Sequence, residues 1–359
     1  MRILVATDAW EPQVNGVVRT LKCVAQAAKS FGVEFFFLTP KNFRTLPLPT
    51  YPDIRLAIPS MRIVEQQVAR VCPDAFHIAT EGPIGLMLRR YCRKRGIAFT
   101  TSFHTRFPDY ISARIPFPRS WAWAWLRWFH NRGTAIMAAT PELSTELLAR
   151  GFENVTLWTR GVDANLFRPR LRSNSGGEYA RPIFLTVGRL APEKNIEAFL
   201  SLDLPGTKVV AGDGPIRADL ERRFPDAVFL GSREGEDLAA VYSNADVFVF
   251  PSRTDTFGLV ILEALASGVP IAAYPVAGPR DVIAHALVPV GALDSDLRKA
   301  CLTAMTVSRD ECRAFALGMT WEESARAFLS QVKRAELPPF PPNGGNLNVE
   351  KISPTRAWP

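Results

Sequence analysis

Residues 247–263 read VFVFPSRTDTFGLVILE. The apolar run 247–250 is typical of a buried parallel strand, and residues 258–266 have the composition of a helix. A helix that begins just after a strand directs backbone N–H groups and the positive end of its dipole at the connecting loop, which favours a bound phosphate. Glu263, farther along this helix, can only accept hydrogen bonds, for example from sugar hydroxyls. The stretch therefore predicts a ligand that contains both a phosphate and a sugar.

The same stretch resembles the sugar-nucleotide signature of the retaining glycosyltransferases of family 4, whose GT-B fold has two facing Rossmann-like domains and an interdomain cleft. The signature of that family is a Glu, seven residues and a second Glu. Here Asp255 stands at the first position and Glu263 at the second. The resemblance implies that Asp255 faces the transferred sugar and that Glu263 holds the ribose. It also implies that the donor diphosphate meets the backbone near Phe257, Gly258, Leu259 and Val260.

The acidic pair has a second interpretation, because this spacing is also typical of a helix-capping residue and a solvated helix face. Asp255 also departs from the family pattern, being one methylene shorter than Glu, which bears on the choice of sugar. The rest of the chain therefore has to support the assignment.

Length and composition favour two domains. The 359 residues, of which 47% are hydrophobic, are enough for two buried cores. No apolar run reaches the length of about eighteen residues that a membrane span needs, and the N-terminal residues pass straight into a strand pattern. We therefore expect a cytoplasmic protein.

The cysteines and the charge set further limits. The five cysteines are scattered without a C-x-x-C or Cys/His cluster, which predicts thiols in a reducing compartment and no zinc site. The formal net charge of +8 indicates an anionic partner. That partner could be nucleic acid, an acidic membrane surface or a phosphorylated substrate.

Apolar strands alternate with helical segments in two series, which predicts an α/β protein with two parallel sheets. The expected strands are residues 3–7, 34–38, 75–77, 98–101, 183–187, 208–211, 228–230, 247–250 and 270–273. We place the first domain at residues 1–165 and the second at 166–320. The resemblance implies that the first is the acceptor side, that the second binds the nucleotide-sugar, and that a helix at 321–335 returns to the first. The Pro-rich residues 336–359 are expected to form an extended tail.

Arg189 and Lys194 are the cationic candidates. They lie in the segment VGRLAPEKN, residues 187–195, at the exit of a predicted strand. Charge builds on the leaving diphosphate as a glycosidic bond breaks, and fixed cations stabilise it. The resemblance places both side chains on the donor diphosphate, whereas the general alternative is a surface Arg and Lys beside Glu193.

The first half carries weaker candidates. Gly16 opens a helix after the first strand, where its backbone could approach a phosphate, but the segment is not a G-x-G-x-x-G fingerprint and so argues against an NAD enzyme. The resemblance implies that His104 lies near the transferred sugar, and we favour a contact with a sugar hydroxyl over a general base. Asp8, Glu81 and Arg106 are acceptor-side candidates.

The segment 114–132 is basic and rich in tryptophan. Its candidate membrane-contacting residues are Arg119, Trp121, Trp125, Arg127 and Trp128. Tryptophans at helical spacing together with arginines are typical of a helix in a membrane interface, but a helix packed in the first domain explains them equally well. No motif that reads nucleic acid accompanies the segment.

Together these features predict a retaining, metal-independent hexosyltransferase that uses GDP-mannose or a UDP-hexose and acts on a hydroxyl group, expected to be that of a membrane lipid. None of the strands predicted above is followed by a D-x-D motif, so Arg189 and Lys194 are expected to replace a metal ion, and no cofactor is expected. Such an enzyme would work in the cytoplasm at the inner face of the membrane. Three alternatives remain: a sugar-nucleotide epimerase of the same fold, a noncatalytic nucleotide-sugar-binding protein, and a nucleic-acid-binding protein.

Overall fold

A computed structural model describes residues 1–11, 16–48, 51–104, 118–170, 179–253, 257–283 and 286–332. These residues form two compact units, one of residues 1–159 with 321–332 and one of residues 160–320. The first unit ends at Thr159 rather than at residue 165. The reason is that the next residues pair within the second unit, where Val162 N donates to Met319 O at 2.9 Å.

The first unit contains a parallel sheet and an antiparallel hairpin. Its strands are β1 (Arg2–Ala6), β2 (Glu34–Leu38), β3 (Arg44–Leu48), β4 (Tyr51–Ile58), β5 (Ala75–Ile78), β6 (Thr100–Phe103), β7 (Ile136–Ala138) and β8 (Val155–Leu157). The parallel sheet has the order β2-β1-β5-β6-β7-β8, and β3 pairs with β4 in the hairpin.

Helices cover both faces of this sheet. They are α1 (Gly16–Ala28), α2 (Met61–Val71), α3 (Pro83–Lys94), α4 (Arg119–His130), α5 (Pro141–Ala149) and the C-terminal α13 (Trp321–Gln331). Alternate residues of β1 point to opposite faces: Ile3 and Val5 pack with α1 and α13, whereas Leu4 and Ala6 pack with α2 and α3. The C-terminal helix is therefore part of the first core.

The second unit contains one parallel sheet. Its strands are β9 (Ile183–Val187), β10 (Thr207–Ala211), β11 (Val228–Gly231), β12 (Val247–Phe250), β13 (Ile271–Ala273) and β14 (Gly291–Leu293). Their order is β11-β10-β9-β12-β13-β14. The helices are α6 (Ile196–Leu200), α7 (Arg217–Arg223), α8 (Gly235–Asn244), α9 (Leu259–Ala266), α10 (Ala277–Ile283), α11 (Leu297–Ala304) and α12 (Arg309–Leu317).

The predicted fold class, α/β with two parallel sheets, is confirmed. One strand was misplaced: the segment expected at 98–101 forms β6 at Thr100–Phe103. Ile97 and Phe99 are buried before β6 begins, so the apolar run starts ahead of the strand.

All five cysteines lie in the described part of the chain, and none takes part in a disulfide. Burial raises the pKa of the Cys301 and Cys312 thiols to about 12, so neither is a thiolate at neutral pH.

Candidate active site

The order of the strands in the second sheet reverses between β9 and β12. From β9 the chain moves outward through β10 and β11, returns to β12 on the other side of β9, and continues to β13 and β14. In open α/β sheets, ligands bind beyond the carboxyl ends of the strands at such a reversal. Asn195 Nδ2 donates to Pro251 O at 3.0 Å and so ties the loop after β9 to the loop after β12.

The loop after β9 carries the two predicted cations. Arg189 is exposed, and Lys194 is half-buried at the end of the short 3-10 helix Pro192–Lys194. Both residues follow β9, so the structure brings them to the carboxyl edge of the sheet at the strand-order reversal. A cationic pair in this place suits the diphosphate of a nucleotide-sugar.

A close backbone approach fixes the course of this loop. Gly188 N donates to Ala211 O at 3.0 Å, and Leu190 N donates to Asp213 O at 2.8 Å. Gly212 has a φ of 145°, and a Cβ at this position would lie 1.9 Å from Gly188 O. Only glycine fits there, because the two loops pack backbone against backbone.

The loop after β12 leads into α9, which begins at Leu259. Gly258 precedes the helix in the left-handed region with a φ of 81°, and Ile261 N donates to its carbonyl at 2.9 Å. Phe257 is buried, and Leu259 and Val260 are half-buried. The amides predicted to meet a diphosphate therefore lie at the positive end of α9. Asp255 lies outside the described residues.

Glu263 is held inside the second unit. Its side chain is 2% exposed, and Oε2 accepts a 2.9 Å hydrogen bond from the hydroxyl of Tyr242 on α8. The carboxylate lies one turn into α9 from the predicted phosphate contacts. The sequence interpretation missed Tyr242, because a residue on another helix gives no local signal of its partner.

Two candidates of the first unit lie near helix N-termini. Gly16 is the first residue of α1 and is exposed. Asp8 follows β1, and its carboxylate accepts hydrogen bonds from Ile84 N at 2.9 Å and Gly85 N at 3.3 Å in the first turn of α3. Burial raises the pKa of the Asp8 carboxyl, although these bonds and one from Thr80 oppose the rise. Asp8 therefore anchors α3 to the loop after β1.

Glu81, in the loop after β5, contacts a buried histidine at the end of α4. Glu81 Oε1 is 3.1 Å from His130 Nε2, and the other ring nitrogen of His130 is 2.9 Å from Thr101 Oγ1. His130 is fully buried at the end of α4, so it fixes one oxygen of Glu81. Glu81 remains an acceptor-side candidate with a defined orientation.

His104 directly follows β6 and is half-buried. Its Nε2 lies 2.8 Å from Ser102 Oγ, and its ring meets that of Trp158 edge-on with the centroids 5.8 Å apart. The structure thus places His104 at the carboxyl edge of the first sheet, the same edge that carries Glu81. Arg106 lies outside the described residues.

The tryptophan-rich segment forms α4, and its two faces differ. Trp123, Leu126 and Phe129 are buried in the first unit. Trp121 and Trp128 are 67% and 51% exposed. One face of α4 therefore packs in the core of the first unit, and another face is exposed to solvent.

The other three predicted membrane-contacting residues also differ in their exposure to solvent. Trp125 is half-buried, with its ring 5.8 Å from that of Phe129. Arg127 donates to Arg150 O at 2.9 Å, and Arg119 is exposed. Of the predicted set, Arg119, Trp121 and Trp128 are therefore the exposed members.

The side chain of Arg89 packs against Trp128. The Arg89 guanidinium lies 3.9 Å from the centre of its ring, while Arg89 Nη2 donates to Trp128 O. Burial and the nearby charges of Arg93 and Arg132 lower the pKa of Arg89 to about 10. Arg89 is itself 3% exposed, whereas Arg93 and Arg132 are exposed, so the positive charges that this region presents to solvent are those of Arg93 and Arg132.

A D-x-D sequence, Asp294-Ser295-Asp296, does follow β14, but Asp294 pairs with Lys299 and Asp296 caps the N-terminus of α11. Within the described residues, no three His, Cys, Asp or Glu side chains converge as a set of metal ligands would. None of the helices found there combines the length and the apolar character that crossing a bilayer requires.

Sequence comparison assigns both halves of the chain. The family described as "Glycosyltransferase Family 4" matches residues 14–166, and the family described as "Glycosyl transferases group 1" matches residues 181–306. A "GDP-mannose-dependent alpha-mannosyltransferase" of Mycobacterium tuberculosis is 31% identical over 84% of this chain and 87% of its own length. An "Alpha-monoglucosyldiacylglycerol synthase" of Streptococcus pneumoniae is 27% identical over 92% of this chain and 84% of its own length.

Structure comparison agrees on the fold. The sucrose-phosphate synthase of Thermosynechococcus elongatus superposes with a TM-score of 0.72 at 18% identity, covering 92% of this chain and 97% of the other. The similar structures are GT-B glycosyltransferases with two Rossmann-like domains. The matches to both halves, the extended identity and the two doubly wound sheets together show that this chain is a GT-B glycosyltransferase and belongs to family 4, the group 1 glycosyl transferases.

Proposed function

We propose that this glycosyltransferase moves a hexose from a nucleoside diphosphate sugar to a lipid hydroxyl, with retention of the anomeric configuration. GDP-mannose is the first donor to test, because the mycobacterial relative is named for it, and a UDP-hexose is the second. The lipid acceptor is suggested by the pneumococcal relative, whose name describes a glycosylated diacylglycerol. The observation that most supports the proposal is the position of Arg189, Lys194 and the start of α9 at one strand-order reversal.

Each donor group has a partner in this proposal. Arg189 and Lys194 bind the diphosphate together with the amides at the start of α9. Glu263, oriented by Tyr242, accepts hydrogen bonds from the ribose hydroxyls. Asp255 and His104 contact the transferred sugar.

The chemistry then requires positioning and charge stabilisation. The bond between the anomeric carbon and the diphosphate oxygen breaks, while the acceptor oxygen bonds to the same face of that carbon. The proton of the acceptor hydroxyl passes to the leaving phosphate, so no carboxylate nucleophile is needed. Arg189 and Lys194 stabilise the negative charge that develops on the diphosphate, the role that a metal ion has in other transferases.

A membrane surface at α4 would bring the enzyme to its acceptor. Trp121 and Trp128 are exposed, and Arg119 is exposed and close to Trp121 in the sequence. The exposed Arg93 and Arg132 lie near the buried Arg89, which packs on the Trp128 ring. Indole rings favour the headgroup level, and arginines favour anionic lipid. We place this contact on the cytoplasmic face of the membrane.

The test is a transfer assay with purified protein. GDP-mannose and UDP-glucose are offered separately, with and without extracted lipids and with and without EDTA, and the anomeric configuration of the product is determined by NMR. We expect an α-linked glycolipid whose formation EDTA does not abolish. Isomerised donor without acceptor would instead identify an epimerase, and donor binding with neither hydrolysis nor transfer would identify a noncatalytic binder. Strongly salt-dependent binding of DNA or RNA, with no preference for a sugar nucleotide, would contradict the proposal in a third way.

A further inference from the structure

We infer that Ser102 and His77 are positioning residues that hold His104 through a buried row of hydrogen bonds, and that the C-terminal helix α13 covers this row. The inference deepens the proposed function and rests on it, because it gives His104 its orientation toward the transferred sugar.

The row follows one face of the first sheet. Thr100, Ser102 and His104 alternate along β6 and just beyond it, so their side chains share a face, and His77 on β5 pairs with Thr100. His77 Nδ1 is 2.8 Å from Thr100 Oγ1, and its Nε2 is 3.1 Å from Ser102 Oγ. Ser102 Oγ is in turn 2.8 Å from His104 Nε2. A continuous path thus connects the interior of the sheet to the candidate active site.

Burial makes the row a fixed unit. His77 and Ser102 are 0% exposed and Thr100 is 1% exposed, whereas His104 is half-buried. A buried polar group that loses its hydrogen bond is destabilised, because water does not replace the partner. The side chains of the row satisfy one another, so each restrains the orientation of the next.

The row also restricts the tautomer of His104. Each hydroxyl has one proton to donate, and each neutral imidazole has one donor and one acceptor nitrogen. If Ser102 donates to His77, it must accept from His104 Nε2; if it donates to His104, it must accept from His77. Thr100 Oγ1 donates to Phe76 O at 3.5 Å, so it accepts from His77 Nδ1. Ser102 Oγ then donates to His77 Nε2 and accepts from His104 Nε2. His104 is therefore held in the tautomer that carries its proton on Nε2. The ring nitrogen that the row does not use is Nδ1.

Helix α13 forms the cover of this row. The ring of Phe328 lies edge-on to His77 with the centroids 4.8 Å apart, and it lies 5.1 Å from the ring of Trp158. Trp158 reaches His104, and its Nε1 donates to Ser324 O on α13 at 3.1 Å. Helix α13 (Trp321–Gln331) is more than two hundred residues from the row in the sequence. It nevertheless shields the row from solvent.

The kinetic test compares two serine substitutions in the first unit. Ser102→Ala breaks the row at its link to His104, whereas Ser144→Ala removes a hydroxyl on α5 that donates to Thr140 O and lies outside the row. We expect Ser102→Ala to lower kcat about tenfold, as the loss of one hydrogen bond predicts, with the donor KM changed by less than about twofold. Ser144→Ala should leave both values unchanged. An equal loss in both variants would reduce the role of Ser102 to folding and would overturn the inference.

A second measurement needs no substrate. The chain has four histidines, so ¹⁵N-labelled imidazole groups can be assigned by substitution and their tautomers determined by NMR at neutral pH. We expect one tautomer for His104 in the native protein and in Ser144→Ala, and a mixture in Ser102→Ala. An unchanged His104 spectrum in Ser102→Ala would overturn the inference even if transfer is observed. Conversely, if the protein gave the expected spectra but had no transfer activity, the hydrogen-bonded row would be supported and the proposed function would be rejected.

Discussion

The hydroxyl of Tyr242 donates a 2.9 Å hydrogen bond to Oε2 of Glu263, and both side chains are buried, at 0% and 2% exposure. The Tyr242 ring is itself fixed by an edge-on contact with Phe167, with the centroids 5.7 Å apart. A carboxylate on one helix is thus oriented by a rigid aromatic side chain on another.

We expect Tyr242→Phe to weaken donor binding, because Glu263 would lose the group that orients it. A hydrogen bond to a charged group contributes about 1.5–3 kcal/mol, so the donor dissociation constant should rise at least about tenfold. Calorimetric titration with GDP-mannose and with mannose 1-phosphate tests whether the loss of affinity depends on the ribose. The loss should appear for the nucleotide-sugar, which has a ribose, and not for the sugar phosphate. Equal affinities of native protein and variant for GDP-mannose would contradict the role of Glu263.

Gly212→Ala tests the packing of the two loops in the second unit. The added Cβ would lie 1.9 Å from Gly188 O at a φ of 145°, so we expect the free energy of unfolding to fall by at least about 2 kcal/mol. Gly318→Ala is the matched control, because Gly318 has a φ of −77° and the nearest atom to its Cβ would be 3.4 Å away. Urea denaturation of both variants measures the difference. Similar denaturation midpoints for the two variants would show that the two loops accommodate the added methyl group without loss of stability, and would contradict this prediction.

Asp8→Asn tests the buried carboxyl that anchors α3. The pKa of Asp8 is raised above 3.8 in the folded protein, so its contribution to stability is fully present below the unfolded-state pKa and is lost as the pH rises through the folded-state pKa. The neutral Asn does not titrate. We therefore expect the stability of Asp8→Asn relative to native protein to improve as the pH rises from about 3 to 7. Chemical denaturation at a series of pH values measures this difference. A relative stability that declines over the same range would mean that the ionised carboxylate is the favoured form.

The membrane proposal is tested with Trp121→Ser/Trp128→Ser. We expect this double variant to lose most of its flotation with phosphatidylglycerol vesicles, because exposed indole rings contribute to interfacial binding. Leu148→Ser is the matched control, since Leu148 is 55% exposed on α5 of the same unit. Native protein should bind vesicles of phosphatidylcholine more weakly, and salt should weaken its binding to the anionic ones. Flotation of the double variant at the native level would exclude α4 as the contact.

Strands with long apolar runs were the most predictable part of the fold. Strands β2, β9 and β12 lie where the sequence places them. The hairpin β3–β4 was missed because Leu46, Leu56 and Ile58 are exposed, so its alternation does not separate a buried from a solvated face. Strands β7, β8 and β14 are three residues long and were not predicted, although the equally short β13 was. Three residues are too few for a periodic signal.

The candidate site shows a similar division. Arg189, Lys194 and Glu263 were predictable because their segments follow strands and resemble a family signature. Their partners were not, since Tyr242 meets Glu263 from another helix and His77 meets Ser102 from another strand. The alternation of Thr100, Ser102 and His104 was visible in the sequence and could have indicated a shared face.

The central claim is that the loop after β9 binds the diphosphate of a nucleotide-sugar. Isothermal titration of GDP and GDP-mannose into native protein, Lys194→Ala and Lys299→Ala tests it most directly. Lys299 is the control because it lies on α11 of the same unit, with a side chain 70% exposed and paired with Asp294. For each ligand, we expect Lys299→Ala to bind with the affinity of the native protein. We expect Lys194→Ala to bind each ligand at least about tenfold more weakly. Undiminished binding by Lys194→Ala, or no binding of GDP, UDP or their sugars by native protein, would contradict the claim.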